Sequence, residues 1–220
     1  MKIFILRHED RTMDATFFSP LTVNGHQNSI NLIKYLDKIN INKIYSSPFI
    51  RTLQTIHPYV KEKKIKINLE HSLCEIQHPH LIPEKSYKIS LPTYIAETFN
   101  YNPRYKSFLQ SENLEYPENE NIVKSRVKNF LKKIINENLE NNIKILLVTH
   151  QIVCNIILQI VSKEFENMDI KIDKNYPTGG LTMVFDLDRW DYKKLNWQLL
   201  FYLFLSSVLL FSKFIFIISI

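Results

Sequence analysis

Two periods of apolar residues run along the chain. Lys2 to Leu6 is apolar after its lysine and reads as a buried strand. Leu21 to Asp37 reads as a helix, with Ile30, Ile33 and Leu36 at helical spacing. Lys43 to Tyr45 reads as a short strand, ended by Ser46-Ser47-Pro48. A helix is expected from Pro48 to about Val60, with Pro48 at the first helical position, where its missing N–H costs nothing. Ile65 to Leu69 reads as a third strand. Gln77 to Pro117 is irregular, rich in Pro, His and Tyr, and is expected to be an excursion over the sheet. Glu118 to about Asn138 reads as a long helix with Ile122, Val127, Phe130 and Ile134 on its apolar side. Ile143 to Val148 is a strongly apolar strand, Gln151 to Val161 a helix, and Leu181 to Leu187 a closing strand after Thr178-Gly179-Gly180. Strand and helix alternate, so the expected fold class is α/β. It is a three-layer sandwich, with a mostly parallel central sheet and helices on both faces, plus a hydrophobic C-terminal tail.

The tail breaks the pattern. From Leu199 to Ile220 the only charge is Lys213, and sixteen residues are Leu, Ile, Phe or Val. As a helix this segment spans about 33 Å, against about 30 Å for a bilayer core. Its apolar residues, at about −0.3 to −0.6 kcal/mol each, outweigh one lysine at about +2.5 to +3.5 kcal/mol. Arg189, Lys193 and Lys194 precede it, as a cytoplasmic flank would. A membrane anchor is the favoured reading. A buried terminal helix, a β pair and an altered chain end are the alternatives. The expected organisation is one folded domain over 1–194, with 77–117 as its excursion, and a tail over 195–220.

Composition changes this picture little. The net charge of +6 favours anionic partners. No dense basic run or nucleic-acid motif occurs, so nucleic acid is set aside as a partner. Cys74 and Cys154 are too few and too far apart for a disulfide framework, and both are expected to be reduced packing residues in the cytosol. Met1 to Leu6 is too short an apolar run for a signal peptide. The expected localisation is a cytoplasmic domain, tail-anchored to a membrane.

Ligands of such sheets bind outside the carboxyl ends of the strands. Arg7-His8 follows the first strand, Ser46-Ser47-Pro48 and then Arg51 the second, and Thr149-His150 the apolar strand. Two arginines, two histidines and a helix N-terminus would face one pocket, which suits a phosphoryl dianion. His8 is the candidate nucleophile. Arg7, Arg51 and His150 are the candidate phosphate-binding residues. Glu75, just after the third strand, is the best-placed proton donor, with Glu84 and Glu97 as rivals. The expected substrate is a small phosphorylated molecule. No metal and no cofactor is implied: the cationic side chains supply the positive field, and there is no HExxH, CxxC or DxD-type cluster.

These residues match a family. Leu6-Arg7-His8 resembles the Arg-His-Gly signature of the histidine phosphatase superfamily, in its phosphoglycerate-mutase-like branch. Pro20-Leu21-Thr22 with Gly25 and Gln27 is similar to that family's Pro-Leu-Thr…Gly…Gln stretch. Ser46-Ser47-Pro48 with Arg51, Gln54 and Thr55 is similar to its Ser-Ser-Pro…Arg…Gln-Thr stretch. Val148-Thr149-His150 resembles the segment of the second histidine, and Thr178-Gly179-Gly180 the approach to the last strand. The resemblance runs from about Met1 to Asp188. It implies a phosphohistidine mechanism, with His8, Glu75 and His150 catalytic and Arg7, Arg51 and His150 on the phosphate.

Three departures bear on function. Glu9 stands where the family usually has Gly. Asp10-Arg11-Thr12-Met13-Asp14 stands where mutases of the family have a substrate-binding Asn/Ser/Gly stretch, which favours hydrolysis over mutase activity. His150 is followed by Gln151 and not Asp, which argues against the acid-phosphatase branch. A phosphomonoester hydrolase is therefore expected. A phosphoglycerate-type mutase and a catalytically weak phospho-ligand-binding module at a membrane are the alternatives. Arg11 and Arg104 are further candidates for substrate contact. His78 and His80 read as loop residues, and Glu118 and Arg126 as scaffold.

Overall fold

The computed structural model describes residues 1–14, 16–81, 93–139, 142–162 and 176–186. Strand β1 (Lys2–Arg7) leads to helix α1 (Val23–Ile39), strand β2 (Lys43–Ser46), helix α2 (Ile50–Lys63) and strand β3 (Ile67–Leu69). Helix α3 (Thr93–Thr98) interrupts the Gln77 to Pro117 excursion. Helix α4 (Glu120–Asn136), strand β4 (Lys144–Thr149), helix α5 (Gln151–Val161) and strand β5 (Leu181–Asp186) follow.

The sheet order is β3-β2-β4-β1-β5, parallel except for β5, which runs antiparallel to β1. Strand residues alternate between two cores, as the two-residue period requires. Ile3, Ile5, Tyr45, Ile145 and Leu147 pack with α4 and α5 through Val127, Phe130, Ile134, Val153 and Ile157. Phe4, Leu6, Ile44, Leu146 and Val148 pack with α1 and α2 through Leu32, Leu36, Leu53 and Ile56. Helices therefore cover both faces, as expected. Each fully buried Leu, Ile or Phe contributes about 1.5–3 kcal/mol, so the central strands are held from both sides.

Two expectations need correction. Pro48 is not the first helical residue, because α2 begins at Ile50 with an extended Phe49 as its N-cap. The Ser47 N–H still bonds the Val148 carbonyl at 3.0 Å, so the chain stays in strand register up to the proline, and a residue before proline disfavours the helical region. Ile30 is not on the buried face of α1 and is 52% exposed. That face is Gly25, Ser29, Leu32 and Leu36, because Gly25 must lie against the β1–α1 connection. A Cβ at Gly25 would overlap the Asp10 carbonyl oxygen. Thr22 caps α1 through Gly25 N and donates to Asp10 Oδ2 at 2.8 Å. The Pro-Leu-Thr…Gly pattern is thus a helix start pressed onto the chain that leaves β1.

Cys74 and Cys154 are free and buried. The Gln77 to Pro117 stretch, where described, runs beside edge strand β3. Tyr101 pairs with Ile67 in a short bridge. Buried Glu70, directly after β3, accepts from Tyr105 Oη at 2.5 Å, Ser107 Oγ at 2.9 Å, Phe108 N at 2.9 Å and Ser72 N at 2.9 Å. The tail over 195–220 lies outside the described residues. Among the described residues, no helix is long and apolar enough to cross a membrane.

Candidate active site

Three neighbouring strands end together. His8 N bonds the Thr149 carbonyl at 2.9 Å and Ser47 N bonds the Val148 carbonyl at 3.0 Å, so the residues just past β1, β2 and β4 are brought side by side. The sheet thus gathers His8 and Ser47 with His150, which lies more than a hundred residues further along the chain. The rings of His8 and His150 meet edge to face with centroids 5.3 Å apart.

His8 Nδ1 lies 2.7 Å from the Glu9 carbonyl. A carbonyl only accepts, so Nδ1 carries the proton and Nε2 holds the lone pair. Burial, then the charge of Arg51, press the His8 pKa down to about 3, with Arg7 and Arg11 adding to the effect. The imidazole is neutral at physiological pH. His150 is fully buried, and burial followed by Arg51 and His8 holds its pKa well below the ordinary value. Its Nε2 lies 2.9 Å from Ser47 Oγ, and its Nδ1 is 3.8 Å from Glu75 Oε2.

The arginines are aimed by backbone carbonyls. Arg7 donates to the Tyr176 carbonyl at 2.5 Å, and Arg51 to the Thr16 carbonyl at 2.8 Å while lying over the Phe49 ring at 4.6 Å. Burial lowers the pKa of Arg51 to about 10, which leaves it charged. Arg7 Nε, Arg51 Nε and His150 Nδ1 are buried and have no hydrogen-bond partner among the described residues. Buried donors are almost always satisfied, so the two unpartnered arginine nitrogens beside neutral His8 mark a place for an acceptor. Helices α2 and α5 both begin at this end of the sheet without a side-chain cap, which adds their positive ends to the field.

Glu75 reaches His150 from the loop after β3. Burial raises its pKa, and the charges of Arg51, Arg126 and Arg7 pull it back. Of its rivals, Glu97 is exposed on α3, and Glu84 lies outside the described residues. Arg104 is exposed beside the start of β3, away from the strand ends, and Arg11 donates to the Thr12 carbonyl. His78 and His80 stack on each other, and no group of three metal-ligating side chains occurs among the described residues.

Glu9 turns into the protein. Its N–H donates to Thr55 Oγ1 at 2.9 Å, and its carboxylate takes Asn28 Nδ2 at 3.4 Å. It lies so close to Gly179 that any Cβ there would overlap it, and Gly179 also has φ of +66°. Burial raises the Glu9 pKa. Gln54 and Thr55, which the sequence offers only as part of a motif, hold the site together with residues that carry no motif. Gln54 Oε1 accepts from Leu21 N at 2.8 Å, Thr55 fixes Glu9 N, and Tyr176 and Thr16 hold the arginines through main-chain oxygens that carry no sequence signal. Leu109 and Leu114 of the excursion close over Phe17, Phe49 and Cys74 beside His150. A separate cleft of about 560 Å³, lined by Phe108, Asn113, Asn119, Ser125 and Asn129 among others, contains none of His8, Arg7, Arg51, Glu75 or His150.

The family model for the histidine phosphatase superfamily (branch 1) matches residues 7–198. The chain belongs to that superfamily. A comparison with curated proteins gives no match. Among solved structures, this histidine phosphatase chain is similar to the ecdysone phosphate phosphatase of Bombyx mori in complex with tungstate, with a TM-score of 0.68 at 15% identity over 86% of this chain and 90% of that one. It is also similar to a phosphoglycerate mutase from Bacillus anthracis, with a TM-score of 0.53 at 17% identity over 89% and 95% of the two chains. A mycobacterial glucosyl-3-phosphoglycerate phosphatase with inorganic phosphate gives 0.50 at 13% identity over 72% and 79%. At these identities the likeness is one of fold, and it includes both phosphatases and a mutase. Phosphoryl transfer through a histidine is general to the superfamily.

Proposed function

We propose that this histidine phosphatase hydrolyses small phosphomonoesters without a metal, through a phosphohistidine at His8. The observation that carries the reading is the state of that ring: its Nδ1 proton is committed to the Glu9 carbonyl, and burial beside Arg51 keeps Nε2 unprotonated. Nε2 attacks phosphorus as the P–O bond to the leaving group breaks. Arg7, Arg51 and His150 hold the three non-bridging oxygens. Glu75, whose pKa burial pushes upward against the charges of Arg51, Arg126 and Arg7, gives its proton to the departing oxygen. Water then attacks the phosphohistidine and Glu75 takes up one of its protons, which restores both residues and releases phosphate. The guanidinium groups supply the positive field that a divalent ion would otherwise provide.

Hydrolysis is favoured over a mutase by the segment after the nucleophile. Asp10 is tied to Thr22, Thr12 to Asp14 and the Pro20 carbonyl, and Arg11 to the Thr12 carbonyl. The Asp10 carboxylate and the Thr12 hydroxyl are thus engaged within this segment and with the start of α1. We further propose that residues 195–220 anchor a cytoplasmic catalytic domain, 1–194, to a membrane, on the strength of sixteen Leu, Ile, Phe and Val residues against one lysine between Leu199 and Ile220.

The test is hydrolysis of p-nitrophenyl phosphate in chelator, with acid-quenched phosphoenzyme trapped from labelled substrate. His8→Ala is expected to lower turnover by about 10⁴-fold or more and to abolish the label. Full activity in the variant would end the proposal, and activation by a bisphosphoglycerate primer with 3-phosphoglycerate as substrate would favour the mutase. Full-length protein that stays soluble without detergent as a monodisperse monomer would end the anchor.

A further inference from the structure

Glu75 sits in the loop after β3, and something must hold its carboxyl opposite His150. Its carboxylate accepts from Ile76 N at 3.0 Å. The loop around it is held from behind by α4. Arg126 is almost wholly buried, and its guanidinium is fully committed. Nη1 donates to the Ser72 carbonyl at 2.7 Å, and Nη2 donates to the Cys74 carbonyl at 3.0 Å and the Glu75 carbonyl at 3.4 Å. On its other side, Nε and Nη2 grip Glu118 Oε1 and Oε2 at 2.7 and 2.9 Å. Glu118 closes the ring: its Oε2 accepts from Gln77 N at 2.9 Å, its own N donates to the Gln77 carbonyl at 2.6 Å, and the Gln77 amide donates to the Glu75 carbonyl at 2.6 Å. Thr149 Oγ1, one residue before His150, bonds the Leu73 carbonyl at 2.7 Å. The loop from Ser72 to Gln77 is therefore stapled on one side to the strand that carries His150 and on the other to a single planar cation.

We propose that Arg126, held in place by Glu118, is a positioning residue for phosphoryl transfer, fixing the loop Ser72 to Gln77 so that the Glu75 carboxyl faces the reacting group. The proposal rests on the reading of Glu75 as proton donor and goes beyond it by naming what sets that donor. A planar fork is required, because one side chain must meet three carbonyls and a bidentate carboxylate at once. Lysine has one donor head and cannot span them. The positive charge also acts on Glu75 through space and opposes the upward push of burial, so removing it favours the protonated acid.

The measurement is kcat/KM, which reports the phosphorylation step, for two substrates: an alkyl phosphate whose leaving group needs a proton, and 2,4-dinitrophenyl phosphate whose leaving group does not. General acid catalysis is worth about 10²–10⁴-fold. Arg126→Gln is expected to lower kcat/KM for the alkyl ester by about 10–100-fold and for the dinitrophenyl ester by less than about threefold. The basic limb of the alkyl-ester pH profile should move to higher pH. Arg126→Lys should not restore the alkyl rate. Glu118→Gln keeps the shape of the clamp and loses its charge. It should give the same split at smaller amplitude, and it carries the test if Arg126→Gln does not fold. Equal losses on both substrates with an unmoved basic limb would reduce Arg126 to scaffold and overturn the proposal. If the unaltered protein hydrolyses neither ester, or His8→Ala still hydrolyses both, the reading of the whole site fails, and that outcome is visible before any Arg126 variant is made.

Discussion

Arg51 and Glu70 are both buried charges near the carboxyl end of the sheet, and their surroundings are opposite. Among the described residues Glu70 forms no ion pair, yet Ser72 N, Tyr105 Oη, Ser107 Oγ and Phe108 N satisfy its two oxygens. Arg51 has one carbonyl partner and a buried Nε with none, as do Arg7 through its Nε and His150 through its Nδ1. The pair Glu118–Arg126 belongs with Glu70, since each of its charged nitrogens and oxygens is used. Charge that holds the fold together is finished by the fold. Charge that waits for a ligand is left unfinished by it, and leaving a buried group unfinished costs stability. Among these arginines and carboxylates, completeness of hydrogen bonding therefore separates the two roles better than burial or residue type does.

That contrast can be broken by substitution. Arg51→Ala carries the largest expected effect of the three that follow. The kcat for p-nitrophenyl phosphate should fall by about 10²–10³-fold, while the melting temperature stays level or rises, because an incompletely paired buried cation is removed. A large loss of stability would put Arg51 with the structural charges. Glu70→Ala should do the reverse. It strands several buried donors, which costs about 3 kcal/mol of stability, or about 6–12 °C in melting temperature for a chain of this size. The kcat of the folded variant should stay within about threefold of the parent. Loss of activity without loss of stability would move Glu70 into the proposed mechanism.

Glu9 sharpens the comparison with the smallest expected effect. It is buried, and burial raises its pKa in the folded state despite the hydrogen bonds its carboxylate takes from Asn28 and the Asp10 backbone. A carboxyl whose folded pKa lies above its unfolded value contributes stability that is full below the unfolded pKa and lost as pH rises through the folded one. Glu9→Gln should therefore match the parent at acid pH and melt higher than it at neutral pH. Melting curves recorded across pH check this, and two profiles that stay parallel would show that the Glu9 carboxylate is not strained by burial.

Much of the site was legible along the chain. Arg7-His8, Ser46-Ser47-Pro48 with Arg51, and Thr149-His150 each follow an apolar run, and a parallel sheet delivers the ends of such runs to one edge. Glu75 was legible as an acid after β3, and the structure brings it to 3.8 Å from His150. The direction of Glu9 was not legible. A carboxylate beside a phosphate pocket threatens the chemistry only if it points there, and its path is set by the space that Gly179 leaves on a different strand approach. The role of Glu70 was invisible for the same kind of reason, since its partners lie about thirty-five residues downstream in a segment without periodicity. Ile30 misled because helical spacing gives a face but not its rotation, and Gly25 fixed the rotation of α1.

The sequence by itself determined the strand and helix order, the three strand-end segments and the residue types that suit phosphate, because these depend on local period and on chemistry carried by single side chains. Tertiary structure alone decided the protonation state of His8, the unpartnered nitrogens of Arg7, Arg51 and His150, the inward turn of Glu9 and the clamp of Arg126 on the Glu75 loop. Each of these depends on burial and on main-chain carbonyls brought from distant segments. Every residue has a carbonyl, so no pattern of side chains announces which one will be used.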